Sequence, residues 1–406
     1  MRTRSKVTAS ILSLLAGIFL PVSICSAREP LEISLTLPGS ASLGTHSGKA
    51  RIMLGQVSDE GFAENTSYLG MGPQSIYTIQ LTDSREETVK KAILHLLKET
   101  GLLAASPQEA TATLDVRIVR NHFTTHQTAA RFRLRSEVFL DFSFKRGNAA
   151  AERVLACGNA ETHAQIATKE KIKAVYQAGI NDALFKLVNS KTFARLVGEG
   201  WKPGSRSDES SKYEITRIDK ASFYGPTDSI QEEVKKASTA LESKRARHVI
   251  LQDFVLKDTD YSEKEDADPK FASRLIPELV RENLNAFYPG AFETIDRGSQ
   301  GGIAESVEVS GDLLKFKVGS FYKRALIGFG AGKDKLEITV VFNESGTTKE
   351  LYTLHILSSG WGAAWQMKRG QVRDMADQAG RDIAYFLVTT LVPGYSPPTD
   401  LEVCFD

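Results

Sequence analysis

The sequence predicts an α+β protein of two tandem domains, each a small antiparallel or mixed sheet with helices packed on one face. Three observations carry this expectation. Helical and strand-like hydrophobic periods alternate along the chain instead of either one filling it. From His248 the order strand, helix, three strands, helix repeats an order already present between Arg51 and Leu187. Between Gly198 and Lys212 the composition turns to Gly, Pro, Ser and charge, as a linker does. With 406 residues there is chain enough for two or three separate cores. The predicted division is a leader 1–27, a first domain 28–197, a linker 198–212, a second domain 213–395 and a tail 396–406.

The leader has the parts of a secretory signal: Arg2, Arg4 and Lys6, the apolar run Ile11 to Leu20, then Pro21 and the small residues Cys25, Ser26 and Ala27. Cleavage is expected after Ala27. Lipidation of Cys25 is disfavoured, because Ile24 stands where a lipid-attachment motif takes Gly, Ala or Ser. Beyond the leader no stretch is long and apolar enough to cross a bilayer.

In the first domain, Leu31 to Leu37 and Arg51 to Val57 alternate as strands, and Ser58 to Leu81 reads as a long loop or irregular hairpin. Ser84 with Glu87 forms a capping box for a helix with Val89, Ile93, Leu96 and Leu97 on one face, stopped at Gly101. Leu114, Val116 and Ile118 form a strand that ends in a turn-like stretch from Asn121 to Ala130. A long strand follows, with Phe132, Leu134, Val138, Leu140, Phe142 and Phe144 on one side. Arg131, Arg133, Arg135, Glu137 and Lys145 are on the other, which is therefore expected to be wet. A strand from Arg153 to Glu161 leads to a helix with the stripe Ile172, Val175, Tyr176, Ile180, Leu184 and Leu187.

The second domain opens with a strand, Val249 to Leu256, and a helix burying Leu275, Ile276, Leu279, Val280 and Leu284, with Pro277 inside it. Strands Val307 to Val318, Lys335 to Phe342 and Leu351 to Leu357 follow, and a helix from Gln371 to Val392 closes the chain's repeat. Between two of these strands lies Arg324-Ala-Leu-Ile-Gly-Phe-Gly-Ala-Gly332. Gly328, Gly330 and Gly332 suit a bend whose backbone takes positive φ or approaches another main chain closely. A phosphate loop would need different spacing and a following helix, and a strand follows here.

Lys plus Arg number 51 and Asp plus Glu 50, so no positive excess draws the chain to nucleic acid or an anionic membrane. His122 and His126 are the nearest approach to a metal pair, but Phe123 stands where a zincin carries Glu, and a solvated turn is the expectation. Asp258, Asp260 and Ser262 fail as a calcium loop, since Glu263 replaces the turn Gly and Pro269 the bidentate Glu. No Gly-x-Ser-x-Gly elbow occurs. No catalytic, cofactor or metal site is therefore expected. With the leader removed, Cys157 and Cys404 are the remaining cysteines. Either they pair and tie the tail to the first domain, or Cys157 is a small buried hydrophobe and Cys404 a tail residue; the second is favoured. Trp361 and Trp365 flank a Gly- and Ala-rich turn and either cover the sheet edge or form a docking patch.

From about His248 to Tyr395 the chain resembles a bacterial envelope domain of unknown function found in secreted proteins and lipoproteins. The resemblance rests on Val249 to Phe254, on Arg324-x-x-Ile-Gly-Phe-Gly-Ala-Gly332, on Leu336 to Phe342 and on the helix from Ala376 to Leu387. The first domain resembles small envelope lipoproteins of the YajG type. These resemblances imply a location at the periplasm or outer-membrane periphery and a fold, and they transfer no catalytic residue. The expected function is an exported, non-enzymatic envelope protein that binds a partner or assists assembly. The alternative is a periplasmic ligand-binding protein or enzyme with its site between the domains.

Overall fold

The computed structural model describes residues 31–33, 43–61, 66–70, 76–127, 132–164, 168–204, 214–216, 226–242, 244–257, 269–298, 304–317, 334–347, 349–360 and 368–404. The leader with Cys25, the bend with Arg324, Gly328, Gly330 and Gly332, and both Trp361 and Trp365 lie outside the described residues.

The chain begins with strands β1 (Leu31–Ile33), β2 (Gly44–His46), β3 (Ile52–Asp59), β4 (Thr66–Gly70) and β5 (Ile76–Leu81), the last two an antiparallel hairpin. Helix α1 (Arg85–Glu99) follows; the Ser84 hydroxyl accepts the Glu87 N–H at 3.1 Å, and Gly101 turns the chain away at φ +72°. A meander of β6 (Ala112–Gln127), β7 (Phe132–Lys145) and β8 (Glu152–Ala164) leads to α2 (Lys169–Val188), α3 (Lys191–Val197) and β9 (Trp201–Pro203). After α4 (Asp228–Ala240) come β10 (His248–Leu251), β11 (Val255–Leu256), α5 (Pro269–Phe287) and β12 (Thr294–Arg297). A second meander, β13 (Ser306–Lys317), β14 (Asp334–Glu344) and β15 (Glu350–Gly360), precedes α6 (Lys368–Leu391) and β16 (Leu401–Cys404).

Two large mixed sheets result, in the orders β16-β8-β7-β6-β3 and β12-β10-β13-β14-β15 with β11 also on β13, beside a small sheet β1-β5-β4 and the pair β2-β9. In each, the strand before the helix lies parallel to the first meander strand, and the meander is antiparallel. The repeat therefore extends from element order to sheet topology. Mixed sheets with helices packed against them make this an α+β protein.

The expected apolar stripes are buried. Val89, Ile93, Leu96 and Leu97 of α1 and the α2 stripe pack on the first sheet. Leu275, Leu279, Val280 and Leu284 of α5, with Met375, Ala379, Ile383 and Phe386 of α6, pack on the second. Helices α5 and α6 also have a second contact face. Ala286 and Phe287 of α5 join Val119, Phe139, Leu155 and Cys157 on the other side of the first sheet, where Phe139 meets Phe287 edge-on with centroids 5.0 Å apart. The layers thus run helix, sheet, helix, sheet, with α5 and α6 shared between the two sheets.

This layering corrects the expectation of a wet face. Glu137 is 3% exposed, because α5 and α6 cover the middle of that face; Arg133, Arg135 and Lys145 toward its ends keep more access to water, and Arg131 lies outside the described residues. The turn expected from Asn121 to Ala130 is strand as far as Gln127. Its apolar alternation fails because both faces bury polar groups: Asn121 receives the Tyr176 hydroxyl from α2 at 2.7 Å, while His122 faces α5. The stretch read as linker begins with β9, which pairs with β2, and Trp201 donates to the Val188 carbonyl. The stretch read as tail contributes β16, parallel to β8.

The sheet register also fixes where the two cysteines stand. In the β16–β8 register Cys404 stands opposite Ala156, one residue before Cys157. Successive strand residues point to opposite faces. Cys157 packs with Phe139 and Ala286 on one side and accepts the Asn159 amide at 3.0 Å, Cys404 packs with the α2 cluster on the other, and no disulfide joins the two.

Candidate functional site

Strand β6 places Arg120 and His122 on the sheet face that α5 and α6 cover, and β7 sets Glu137 opposite His122. Helix α5 brings Glu282 and Asn283, and α6 brings Asp377 and Arg381 one turn apart. Arg120 is 1% exposed. Its Nε donates to Glu137 at 2.7 Å, and Nη1 to Glu282 at 2.9 Å. Nη1 and Nη2 grip both oxygens of Asp377 at 3.1 and 2.7 Å. One guanidinium from the first half therefore organises three carboxylates, two of them from the second half; the fixed fork of donors suits this task as a lysine ammonium would not.

The remaining groups close the shell. Arg381 pairs with Asp377 and reaches Glu137 at 3.4 Å, and the Asn283 amide donates to Asp377 at 3.3 Å. His122 Nε2 lies 2.7 Å from Glu282 Oε1. Burial alone pushes the carboxyls of Glu137 and Asp377 upward, but the charges of Arg120 and Arg381 outweigh it. Glu137 is held below its ordinary range, and Asp377 well below. Burial likewise works against the Arg120 charge, and Asp377, Glu137 and Glu282 overcome it, so that guanidinium stays protonated far into alkali.

Depressed carboxylates give the seam an acid dependence of known sign. Their stabilisation is present above the unfolded carboxylate range near pH ~4 and is lost as pH falls through the folded-state values. The urea midpoint should therefore drop steeply on acidification from pH 5 to pH 2.5, and in Glu137→Gln the slope should be shallower. An equal slope in both proteins would show that these groups carry none of the acid dependence.

Toward one end of the same sheet face, Arg117 and Arg153 both donate to Asp141, and Lys145 meets Asp115 at 2.7 Å. With Gln56 and Ser58 these residues line an open polar groove of about 340 Å³ whose charges are paired among themselves. Toward the other end Glu161 accepts from the Nε atoms of Arg133 and Arg135 at 2.8 and 3.0 Å.

Among the residues singled out in the sequence, His122 sits in the seam, where a solvated turn was expected; the His126 side chain lies outside the described residues. No cluster of metal-ligating side chains occurs among the described residues. Arg120, Glu282, Asp377 and Arg381 were not anticipated. A signal for them exists in the Glu282-Asn283 doublet within an apolar helix and in the Asp377 and Arg381 spacing on the side of α6 away from its stripe.

The fold and this seam define an α+β protein built on two large sheets, whose halves are joined through buried charge. A family model described as a domain of unknown function, DUF4410, matches residues 210–364. No curated protein matches the chain. Among solved structures, a Xanthomonas campestris protein assigned to DUF330 is 8% identical with a TM-score of 0.32, over 41% of this chain and 96% of that one. PelC dodecamers from Paraburkholderia phytofirmans in two crystal forms are 14% and 12% identical, with TM-scores of 0.22 and 0.23. They cover 36% and 35% of this chain and 89% and 88% of theirs.

Proposed function

We propose that this chain is an exported, non-enzymatic protein of the cell envelope that serves as a binding or assembly body in the periplasm or at the outer-membrane periphery. Support for export comes from the leader, with Arg2, Arg4 and Lys6 before the apolar run Ile11 to Leu20 and small residues ending at Ala27. Near-equal charge speaks against a nucleic-acid role. Ile24 before Cys25 favours a cleaved, unlipidated form over a lipoprotein, and the likeness of the first half to YajG-type proteins is taken as one of fold and compartment alone.

The observation that carries the non-enzymatic part is the sealed seam. A ligand site between the halves requires an open cleft with convergent polar groups. That position is filled by Arg120 and its three carboxylates, and beside them by Phe139 against Phe287. Charges so thoroughly committed to one another hold two surfaces together and leave little capacity for a substrate.

The test is to express the full chain in its native host, fractionate the cells and determine the mature N-terminus by mass spectrometry. The expected species starts at Arg28, is released with the periplasm or recovered with the outer membrane, and brings down a stoichiometric envelope protein on affinity capture. An intact leader in the cytoplasmic fraction would overturn export. Saturable small-molecule turnover by the purified chain would overturn the non-enzymatic reading.

A further inference from the structure

We infer that the outer edge of β15 is a self-association surface, on which a second copy of this chain adds its own β15 in antiparallel alignment. The inference rests on how the chain treats its sheet edges. An edge strand presents unpaired N–H and C=O groups to any other strand, and proteins ordinarily blunt such edges by short length, charge, bulges or cover.

The other edges each carry one of these devices. Strands β1, β2, β4, β9, β12 and β16 have three to five residues each. On β3 the segment after α1 takes both backbone groups of Ile52, through Leu102 and Ala104. A bulge follows between Leu54 and Val57, and Glu86 accepts the Asp59 N–H. On β8, past the end of β16, Lys186 donates to the Cys157 carbonyl and Asp182 accepts the Asn159 N–H. Thr216 then exchanges two backbone bonds with Glu161.

Strand β15 is treated differently. It runs for 11 residues, and β14 is its one ladder partner among the described residues. Its register shift falls at the start, between Tyr352 opposite Phe342 and Glu350 opposite Asn343. From Tyr352 to Gly360 the sequence YTLHILSSG contains no Lys, Arg, Asp, Glu or Pro, the residues that keep edges apart. Tyr352 meets Phe386 of α6 and donates to Glu233 of α4, which puts both helices on the core face of the strand. On the opposite face His355 is exposed and Leu357 is 60% exposed, more than any other large apolar side chain among the described residues.

A second copy is the occupant this edge fits. With a two-fold axis through Ile356, residues 352–360 of the two copies overlap completely. His355 then stands opposite Leu357 of the second copy, Leu354 opposite its Ser358, and Tyr352 opposite its Gly360. No two charged residues confront each other, and each exposed Leu357 gains an imidazole beside it. An axis perpendicular to the sheet keeps the helices of both copies on one side, so the sheets join without exposing either core. Below the junction, the exposed Glu232, Lys235 and Lys236 of α4 mix both signs, so no like-charged surface opposes the approach. The contact is isologous and closes at two copies. It stands whether or not the chain is exported.

The test is sedimentation velocity of the purified chain from about 1 to 100 µM, a range that brackets micromolar association. Leu357→Lys and His355→Lys place a charge on the edge at exposed positions; Val255→Lys, at a 54% exposed residue of β11, is the control for apolar exposure elsewhere. Wild type and Val255→Lys should dimerise in this range. Each edge variant should weaken the dimer at least a hundredfold while keeping the wild-type circular dichroism spectrum. Amide exchange in wild type should slow between Tyr352 and Gly360 as concentration rises. A chain that is monomeric throughout, a dimer that the edge variants leave as tight as wild type, or one that Val255→Lys weakens equally would each overturn the inference. So would a monomer in which this stretch is protected at every concentration, since its edge would then be covered within its own chain.

Discussion

Arg120→Met should cost about 3–5 kcal/mol, among the largest losses available from a single side chain in this protein. The substitution removes the fork that Glu137, Glu282 and Asp377 share, while Arg381 stays paired with Asp377 and Glu137. Methionine fills a similar volume, so the cost comes from unpaired charge and not from a cavity. Part of the loss should return when Glu137→Gln and Glu282→Gln are added, since neutral amides in the same positions need no cation. The measurement is urea unfolding at pH 7 with the m-value compared across variants. If the seam alone gives way, the single variant should show a first transition in which the halves separate before either core melts. A midpoint and m-value for Arg120→Met indistinguishable from wild type would refute a structural role for the network.

The distance between these partners along the chain explains why the seam was not legible. Arg120 is 162 residues from Glu282 and 257 from Asp377, so no local period relates them. In sequence, Arg135, Glu137 and Lys145 look alike, each a charged residue alternating with apolar ones on a strand with one wet face. Only the arrival of α5 and α6 separates buried Glu137 from half-buried Arg135 and exposed Lys145. Helices and meanders were legible because their determinants are local: the Ser84 cap, the Gly101 stop and the stripe from Ile172 to Leu187 need no knowledge of the other half. The same contrast explains the cysteines. Sequence could place Cys404 near the first sheet as a possibility of pairing, but the register that puts it opposite Ala156, with its side chain on the face away from Cys157, is a property of the assembled sheet. Polar residues such as Asn121 and His122 interrupted the strand signal of β6 because this strand is buried on both faces by polar partners as well as apolar ones.

The second large effect concerns the other face of the same sheet, where Gly158→Ala should destabilise the protein by about 3 kcal/mol or more. Strand β8 and helix α2 approach here backbone to backbone. A Cβ at residue 158 would stand 1.8 Å from the Gly179 carbonyl oxygen and 2.6 Å from the Ala183 nitrogen. Neither atom belongs to a flexible side chain, so the helix itself would have to lift. Such a shift would strain the polar ties beside the contact: Asp182 accepts the Asn159 N–H at 3.2 Å, and Lys186 donates to the Cys157 carbonyl at 2.8 Å. It would also open the packing of Ile180, Ala183 and Leu184 against the sheet, since interiors at close-packed density cannot absorb an extra methyl without displacement. Cys157 gives an independent readout, because it is fully buried in the native chain. In a Cys404→Ser background, a thiol reagent should label Cys157 at least tenfold faster in Gly158→Ala than in its parent. A stable variant with an unchanged melting transition and an unreactive Cys157 would mean that α2 and β8 do not meet as closely as the structure has them.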